Sequence, residues 1–277
     1  MLTQIHEAGD YVILDLSAST RSTASTGGGF RSDWSFDPLL SFSTGKDRIV
    51  ELILPSTATS VVGGGHGILW SGRNSAFFYF HNLVRVSGSG VTTIGELAFY
   101  NRFGMNNLRS LTTVSFPAAI NIADLAFSNL NLTSVYFPNV TNIGSSAFSH
   151  NTSLTSVSFP SARTIGITAF FESGLRDARF PQVETIGAET FERNTSLTYL
   201  YIPAVNLINR GAFSETGSVT PLTITLGSAP QLQGGDFFRN VNSKSITIRI
   251  PANARGGYTA TWVSMFSGSN SLAFEYR

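Results

Sequence analysis

Residues Leu154–Phe170 read LTSVSFPSARTIGITAF and contain both halves of the repeating unit that decides the fold. The first half has the form Leu-x-x-Val-x-Phe-Pro, and the second half has the form Ile-Gly-x-x-Ala-Phe. First halves begin at five leucines with successive spacings of 21, 22, 21 and 22 residues: Leu111, Leu132, Leu154, Leu175 and Leu197. So regular a period predicts a solenoid in which each repeat is one coil.

The second half of the unit recurs over a longer part of the chain than the first. It is found, with some substitutions, at Ile94–Phe99, Ile122–Phe127, Ile143–Phe148, Ile165–Phe170, Ile186–Phe191 and Ile208–Phe213, and in degenerate form at Leu232–Phe237. Repeats at the ends of a solenoid are commonly atypical, because the terminal coils must cover the core.

The alternation of apolar and polar residues shows how one coil is built. Leu154, Val157 and Phe159 are apolar, whereas Ser156 and Ser158 occupy the alternate positions that point out of a strand. The proline that follows cannot donate to a sheet ladder and ends the strand. Ile165 then returns inward, Gly166 permits a tight bend, and Phe170 re-enters the core.

Stacked coils bury what a single coil leaves exposed. The stacking predicts a parallel sheet on one face and, behind it, a column formed by Phe99, Phe127, Phe148, Phe170, Phe191 and Phe213. Asn151 and Asn194, each followed by Thr-Ser, suit the turn between coils.

The phrase NTSLTSVSFP at Asn151–Pro160, with the TIG and AF that follow it, resembles the BspA-like leucine-rich repeats of bacterial surface proteins. The resemblance covers roughly residues 83–251, and this chain has Asn151 and Asn194 where such proteins often have cysteine. It implies a leucine-rich repeat solenoid that is right-handed and curved, with a parallel β-sheet on one face, short helical or irregular turns behind it, and irregular capping segments. It also implies adhesion or ligand binding by a cell-surface or secreted protein.

The regularity of the repeat divides the chain into three parts of one predicted domain, residues 1–277. Residues 1–82 form an N-terminal cap with irregular first coils, residues 83–244 are the repeats, and residues 245–277 are a C-terminal cap. The predicted elements of the two caps are strands at Tyr11–Leu16, Ile49–Pro55, Ser245–Pro251 and Ser271–Tyr276, and a helix at Ala254–Phe266.

Composition argues against several classes of function. Only 13% of residues are charged and the net charge is +1, so the chain has no electrostatic footprint for nucleic acid. No apolar run is long enough for membrane insertion, and the first residues do not resemble a signal peptide. There is no cysteine, the four histidines are dispersed, and no cofactor motif occurs, so we expect neither a metal site nor a cofactor.

Outward positions of the predicted sheet give no catalytic pair of carboxylates. Only Glu51 and Asp177 are acidic there, and they lie about five coils apart, or on the order of 24 Å at one strand spacing per coil. Glycoside hydrolysis requires two carboxylates within about 10 Å of each other. The sheet face is therefore predicted not to host this pair, although loops could.

The same positions contain the one feature that favours binding. Ser and Thr are the commonest residues there, and the departures that suggest binding are Tyr136, Asp177, Arg179, Tyr199, Tyr201 and Arg249. Tyr and Arg are enriched at binding hot spots, which makes these six the candidate ligand-binding residues. The alternative is structural, because tyrosine suits exposed strands and Asp177 and Arg179 can pair with neighbours.

Three functions are consistent with the sequence. The leading hypothesis is a non-enzymatic binding or adhesion module whose sheet face takes a macromolecular partner, such as a host extracellular-matrix protein or a glycan. The second is a structural spacer or assembly module within a longer surface protein. The third is a carbohydrate-active enzyme with its chemistry in the irregular segments Ser17–Ser35 or Ser56–Phe80; loss of turnover on changing one loop acid, such as Asp33 or Asp37, would support it.

Overall fold

The computed structural model describes residues 12–15, 29–30, 35–37, 48–61, 77, 80–102, 108–217, 221–241, 246–267 and 272–277. Most of the two irregular segments predicted at residues 17–35 and 56–80 lies outside the described residues, as does Asp33.

The repeating coils stack into a leucine-rich repeat solenoid, and their longer strands form what we call the first sheet. Its strands are β1 (Val12–Asp15), β4 (Ile49–Ile53), β6 (Arg85–Ser87), β8 (Thr113–Ser115), β10 (Ser134–Tyr136), β12 (Ser156–Ser158), β14 (Asp177–Arg179), β16 (Tyr199–Ile202), β18 (Leu222–Leu226), β20 (Ile246–Ile250) and β21 (Leu272–Tyr276). All pairs between its strands are parallel, and the sheet has two halves, which end at β10 and begin at β12. The strands predicted near both ends of the chain are confirmed, with slightly shorter bounds.

A second parallel sheet, not anticipated from the sequence, lies where the chain turns behind the first. Its parallel strands are β3 (Ser35–Asp37), β5 (Ser60–Val61), β7 (Thr93–Ile94), β9 (Asn121–Ile122), β11 (Asn142–Ile143), β13 (Thr164–Ile165), β15 (Thr185–Ile186), β17 (Leu207–Asn209) and β19 (Gln231–Gln233). The strand β2 (Gly29–Phe30) pairs antiparallel with β3 at one edge. Strands of two residues are too short to show a period, so the alternation of the sequence could not reveal them.

Phenylalanine rings stack from coil to coil in the core. The predicted column is confirmed and longer than expected, because Phe77 stacks on Phe99 at 4.5 Å and Phe238 stacks on Phe213 at 5.3 Å. A second column comes from the strand phrase, whose rings stack at 5.7–6.0 Å: Phe116, Phe137, Phe159 and Phe180. Aromatic burial is the largest apolar contribution a side chain can make, so the two columns hold the coils in register.

Main-chain hydrogen bonds also join the coils around the first phenylalanine column, in what we call the turn ladder. In one coil the N–H groups of Thr168, Phe170 and Glu172 each donate to a carbonyl of the next coil at 2.9 Å. Thr168 and Glu172 have φ angles of 52° and 50°, and equivalent left-handed residues flank the phenylalanine in neighbouring coils. This conformation costs about 1–2 kcal/mol per residue outside glycine, a cost that the ladder bonds offset.

Gly166 is required for the closeness of the coils and not for a bend, which corrects the role predicted for it. Its φ is not in the left-handed region, but a Cβ on it would lie 2.6 Å from the main-chain nitrogen of Ser145 in the preceding coil. The contact is closer still at Gly174, where a Cβ would lie 2.1 Å from the carbonyl oxygen of Thr152.

Asn151 and Asn194 begin turns, as predicted, because their carbonyl oxygens accept from the N–H groups three residues later; their side chains are fully buried. The side-chain nitrogen of Asn151 donates to the carbonyl oxygens of Phe127 and Phe148 at 2.8 and 2.9 Å. Two repeats later, Asn194 makes the equivalent bonds. Buried carbonyls left without a donor are costly, so these amides are structural. Both asparagines begin an Asn-Thr-Ser sequon, which burial makes inaccessible to modification.

The C-terminal cap covers the last strand of the second sheet. The predicted helical segment consists of a 3-10 helix at Ala252–Gly257 and an α-helix, α1, at Ala260–Ser267. Trp262 of α1 donates from its indole to the carbonyl oxygen of Pro230 at 2.8 Å, and Tyr258 donates to that of Gly227 at 3.0 Å. Within the described residues, no helix is both long and apolar enough to cross a membrane.

We predict that Gly174→Ala lowers the free energy of unfolding by about 2–3 kcal/mol, because its methyl group cannot fit against the Thr152 carbonyl without moving a coil. Gly256→Ala is the matched control, since a Cβ there meets nothing within 4 Å. Denaturant unfolding followed by circular dichroism measures both variants. Equal stabilities of the two would show that the coils are not held this closely.

We also predict that Asn151→Ala lowers the free energy of unfolding by about 2–4 kcal/mol, because it leaves the buried carbonyl of Phe127 without a donor and the buried N–H of Leu132 without an acceptor. Asn139→Ala is the control. Its exposed side chain makes a single bond, to the carbonyl oxygen of Pro117, so we expect a loss of no more than about 1 kcal/mol. Thermal unfolding compares the two, and a smaller loss for Asn151→Ala would contradict the structural role.

Candidate functional site

The register of the first sheet places the six predicted residues on one surface, which we call the outer face. Asp177 pairs with Tyr199, and Arg179 pairs with Tyr201. Residues that pair side by side across successive strands form a column on this face. Arg249 lies in the column of Tyr201, two strands further along, with Thr225 between them. Tyr136 occupies the same column in the other half of the sheet and is 58% exposed.

Asp177, Arg179 and Tyr199 form one cluster at the centre of the outer face. The Arg179 guanidinium donates two hydrogen bonds of 2.9 Å to the two carboxylate oxygens of Asp177, and its Cζ lies 5.1 Å from the centroid of the Tyr199 ring. The bond to Asp177 raises the pKa of the guanidinium above its ordinary value. The pairing expected by the structural alternative therefore occurs, yet both side chains remain solvent-accessible, with exposed fractions of 37% and 53%.

Tyr199, Tyr201 and Arg249 line a concavity of about 290 Å³, which we call the arginine groove. Arg249 donates to Glu275 at 2.6 Å, and Arg277 donates to the other oxygen of the same carboxylate. These bonds lower the pKa of Glu275. Since two arginines share one carboxylate, this end of the outer face is positively charged.

Sequence reasoning missed Glu275 and Arg277 as members of the outer face. The sequence did predict the strand β21. In the structure β21 adds in parallel to β20, which places Glu275 next to Arg249 in the same column. No repeat leads into β21, so its sequence does not show whether it runs parallel or antiparallel to β20.

Tyr136, Asp177 and Arg179 line a second concavity, of about 510 Å³, which we call the split groove. It lies over the boundary between the two halves of the first sheet. The six predicted residues are therefore not one continuous patch. They line two neighbouring grooves, and the Asp177–Arg179 pair and the two tyrosines of β16 lie between the groove centres.

The acidic residues of the outer face are as far apart as predicted. Glu51 and Asp177 belong to the same column and are separated by the strands β6, β8, β10 and β12. Within the part of the chain that the structure describes, no group of three or more histidine, aspartate or glutamate residues could hold a metal ion.

Comparison with known proteins connects this architecture to one family. The family described as "BspA type Leucine rich repeat region (6 copies)" matches residues 73–198 and 120–244. No curated protein matches the chain.

Among three similar solved structures, the first has the same fold at a TM-score of 0.50. A leucine-rich repeat protein from Bacteroides ovatus is 17% identical with a TM-score of 0.50, and the match covers 87% of this chain and 64% of that protein. A leucine rich cell surface protein from Faecalibacterium prausnitzii is 14% identical with a TM-score of 0.39, over 94% of this chain and 95% of that one. The pneumococcal vaccine antigen PcpA is 15% identical with a TM-score of 0.39, over 69% and 45%.

We predict that the Asp177–Arg179 pair adds less than about 1 kcal/mol to stability, because both side chains are exposed to solvent. A double-mutant cycle with Asp177→Ala and Arg179→Ala, followed by denaturant unfolding, measures their coupling energy. A coupling well above this value would mean that the pair is retained for stability and would weaken its assignment to binding.

Proposed function

We propose that this chain, which belongs to the family of BspA-type leucine-rich repeat proteins, is a non-enzymatic binding module that takes a macromolecular partner on its outer face. The family supports a repeat-based module for interaction or structure. The step from there to binding rests on the outer face itself, and the proposed location is the cell surface or the extracellular space.

One observation supports binding over a purely structural role. The tyrosines at outward positions of the first sheet line two concavities together with Arg179 and Arg249. Arg85 lies elsewhere on the face beside Glu51, and the remaining positions are mainly Ser and Thr. A spacer would need only a soluble surface, for which the hydroxyl residues suffice. Grooves lined by Tyr and Arg provide large contact areas with polar tips, the combination typical of binding hot spots.

The rigidity of the face favours tight binding. The strands of β14, β16, β18 and β20 are hydrogen-bonded in series, and the residues beneath them, such as Ala178, Leu200 and Ile224, are fully buried. A partner would therefore meet a surface that is already ordered, and little entropy is lost on binding. Host extracellular-matrix proteins and glycans are the partners we propose, since both present extended surfaces.

The two other functions remain as proposals with less support. A spacer or assembly module needs the same fold but no outer-face cluster. An enzyme would need acids from the irregular segments, of which Asp33 lies outside the described residues.

The test is a triple variant, Arg179→Ala, Tyr199→Ala and Tyr201→Ala, compared with the unaltered chain on an array of immobilised extracellular-matrix proteins and glycans. We expect binding to at least one array member, and a loss of at least about tenfold in affinity for the triple variant. The three residues are outward-facing, so circular dichroism should show that the variant remains folded.

The matched control replaces three exposed residues near the second sheet, Ile120, Arg163 and Ile167, with alanine. This control should bind as the unaltered chain does. If the outer-face triple variant retained full affinity for every partner found, the outer face would not be the binding surface.

A further inference from the structure

We propose that the split groove is a subsite for a neutral sugar residue of a glycan ligand. This inference rests on the proposed function in one respect, since it takes the outer face to be the binding surface. It adds the chemical class of the ligand and the place where it is held.

The split groove exists because the first sheet opens between two coils that remain joined everywhere else. Phe116 N–H donates to the carbonyl oxygen of Tyr136, and Phe159 N–H donates to that of Arg179. Between these two places, within residues 132–159, all of which are described, the equivalent bond from Phe137 N–H to the Ser158 carbonyl is not formed, and no residue of β10 pairs with β12.

The other contacts between the same two coils are intact. In the second sheet Asn142 pairs with Thr164, and in the turn ladder Phe148 N–H donates to the carbonyl oxygen of Ala169 at 2.8 Å. The core rings of Phe137 and Phe159 still stack at 6.0 Å. The opening is therefore confined to the outer face and leaves strand-edge N–H and C=O groups beside the groove.

The opening also gives the groove an apolar floor. Val135 is partly exposed, whereas the residues at the same position of the adjacent strands, Val114 and Val157, are buried. The ring of Tyr136 stands beside it, and Pro138 and Pro160 are at the edge. A volume of about 510 Å³ falls within the range of small-ligand sites, which is about 300–1,000 Å³.

The polar groups of the groove are suited to hydroxyls and not to charge. They are the side chains of Ser134, Ser156 and Ser158 together with the bidentate Asp177–Arg179 pair, in which each charge neutralises the other. A neutral sugar offers a C–H face that packs on an aromatic ring and hydroxyls that both donate and accept. An anionic group would find the one arginine lining this groove already paired with a carboxylate, whereas the arginine groove has two arginines that share one carboxylate.

The test uses a panel of neutral oligosaccharides, namely maltohexaose, cellohexaose, mannohexaose, xylohexaose and chitohexaose, with a heparin oligosaccharide as the anionic comparison. Titration calorimetry with the whole chain should detect binding of at least one neutral sugar. Tyr136→Ala should weaken that binding by about tenfold or more, because it removes the aromatic wall. Ile167→Ala, which removes an exposed apolar side chain near the second sheet, should change it by no more than about twofold.

Ser158→Tyr is the second variant. Tyrosine already occupies this column at Tyr136 and Tyr201, so the fold should accept it, and the new ring should fill the groove and abolish sugar binding. An unchanged thermal midpoint will show that the fold is intact.

Three results would overturn the assignment: no neutral sugar binds, only the heparin oligosaccharide binds, or binding survives both Tyr136→Ala and Ser158→Tyr. The proposed function fails separately, if the triple variant of β14 and β16 retains affinity for every partner on the array. A protein partner lost in the triple variant but unaffected by Tyr136→Ala, with no neutral sugar bound, would leave the proposed function standing and remove the sugar subsite.

Discussion

The distance between neighbouring coils is the constraint on which the rest of this structure depends. It is set by main-chain hydrogen bonds in the first sheet, in the second sheet and in the turn ladder, and it is filled by phenylalanine rings stacked from coil to coil. A coil that must remain so close to its neighbours tolerates no Cβ at Gly174 and buries the amide of Asn151 against main-chain carbonyls. The glycine and the buried asparagine look unrelated in the sequence, but both are explained by the close spacing of the coils.

The close spacing of the coils also positions the outer face, whose side chains are not needed to fill the core. Because inward positions of each strand are committed to the core, only the outward positions can vary without cost to stability. Asp177, Arg179 and the tyrosines of β16 use that freedom in the centre of the face, and their side chains interact with one another while remaining accessible. Among the described strands of the first sheet, the main-chain pairing is interrupted between β10 and β12, and this interruption lies beside the cluster.

Much of the fold could be predicted from the sequence, because strand alternation and the period of 21–22 residues are strong signals. The first sheet, the phenylalanine column and the membership of both outward columns follow from them. The second sheet could not be predicted, since strands such as Thr164–Ile165 are too short to alternate. Nor could the opening at β10, because Ser134–Tyr136 and Ser156–Ser158 are nearly identical phrases. The six site residues could be chosen by type, but their division between two grooves required coordinates.

The turn ladder has a consequence for how such a protein changes over generations. Its bonds come from the main chain, and the left-handed positions flanking the core phenylalanines hold residues as different as Thr168, Glu189, Arg193 and Asn240. The turn ladder therefore joins neighbouring coils with little dependence on which side chains occupy these flanking positions. Whole coils can be duplicated or deleted by recombination while the join remains intact, so the length of the solenoid and the composition of its outer face can evolve separately.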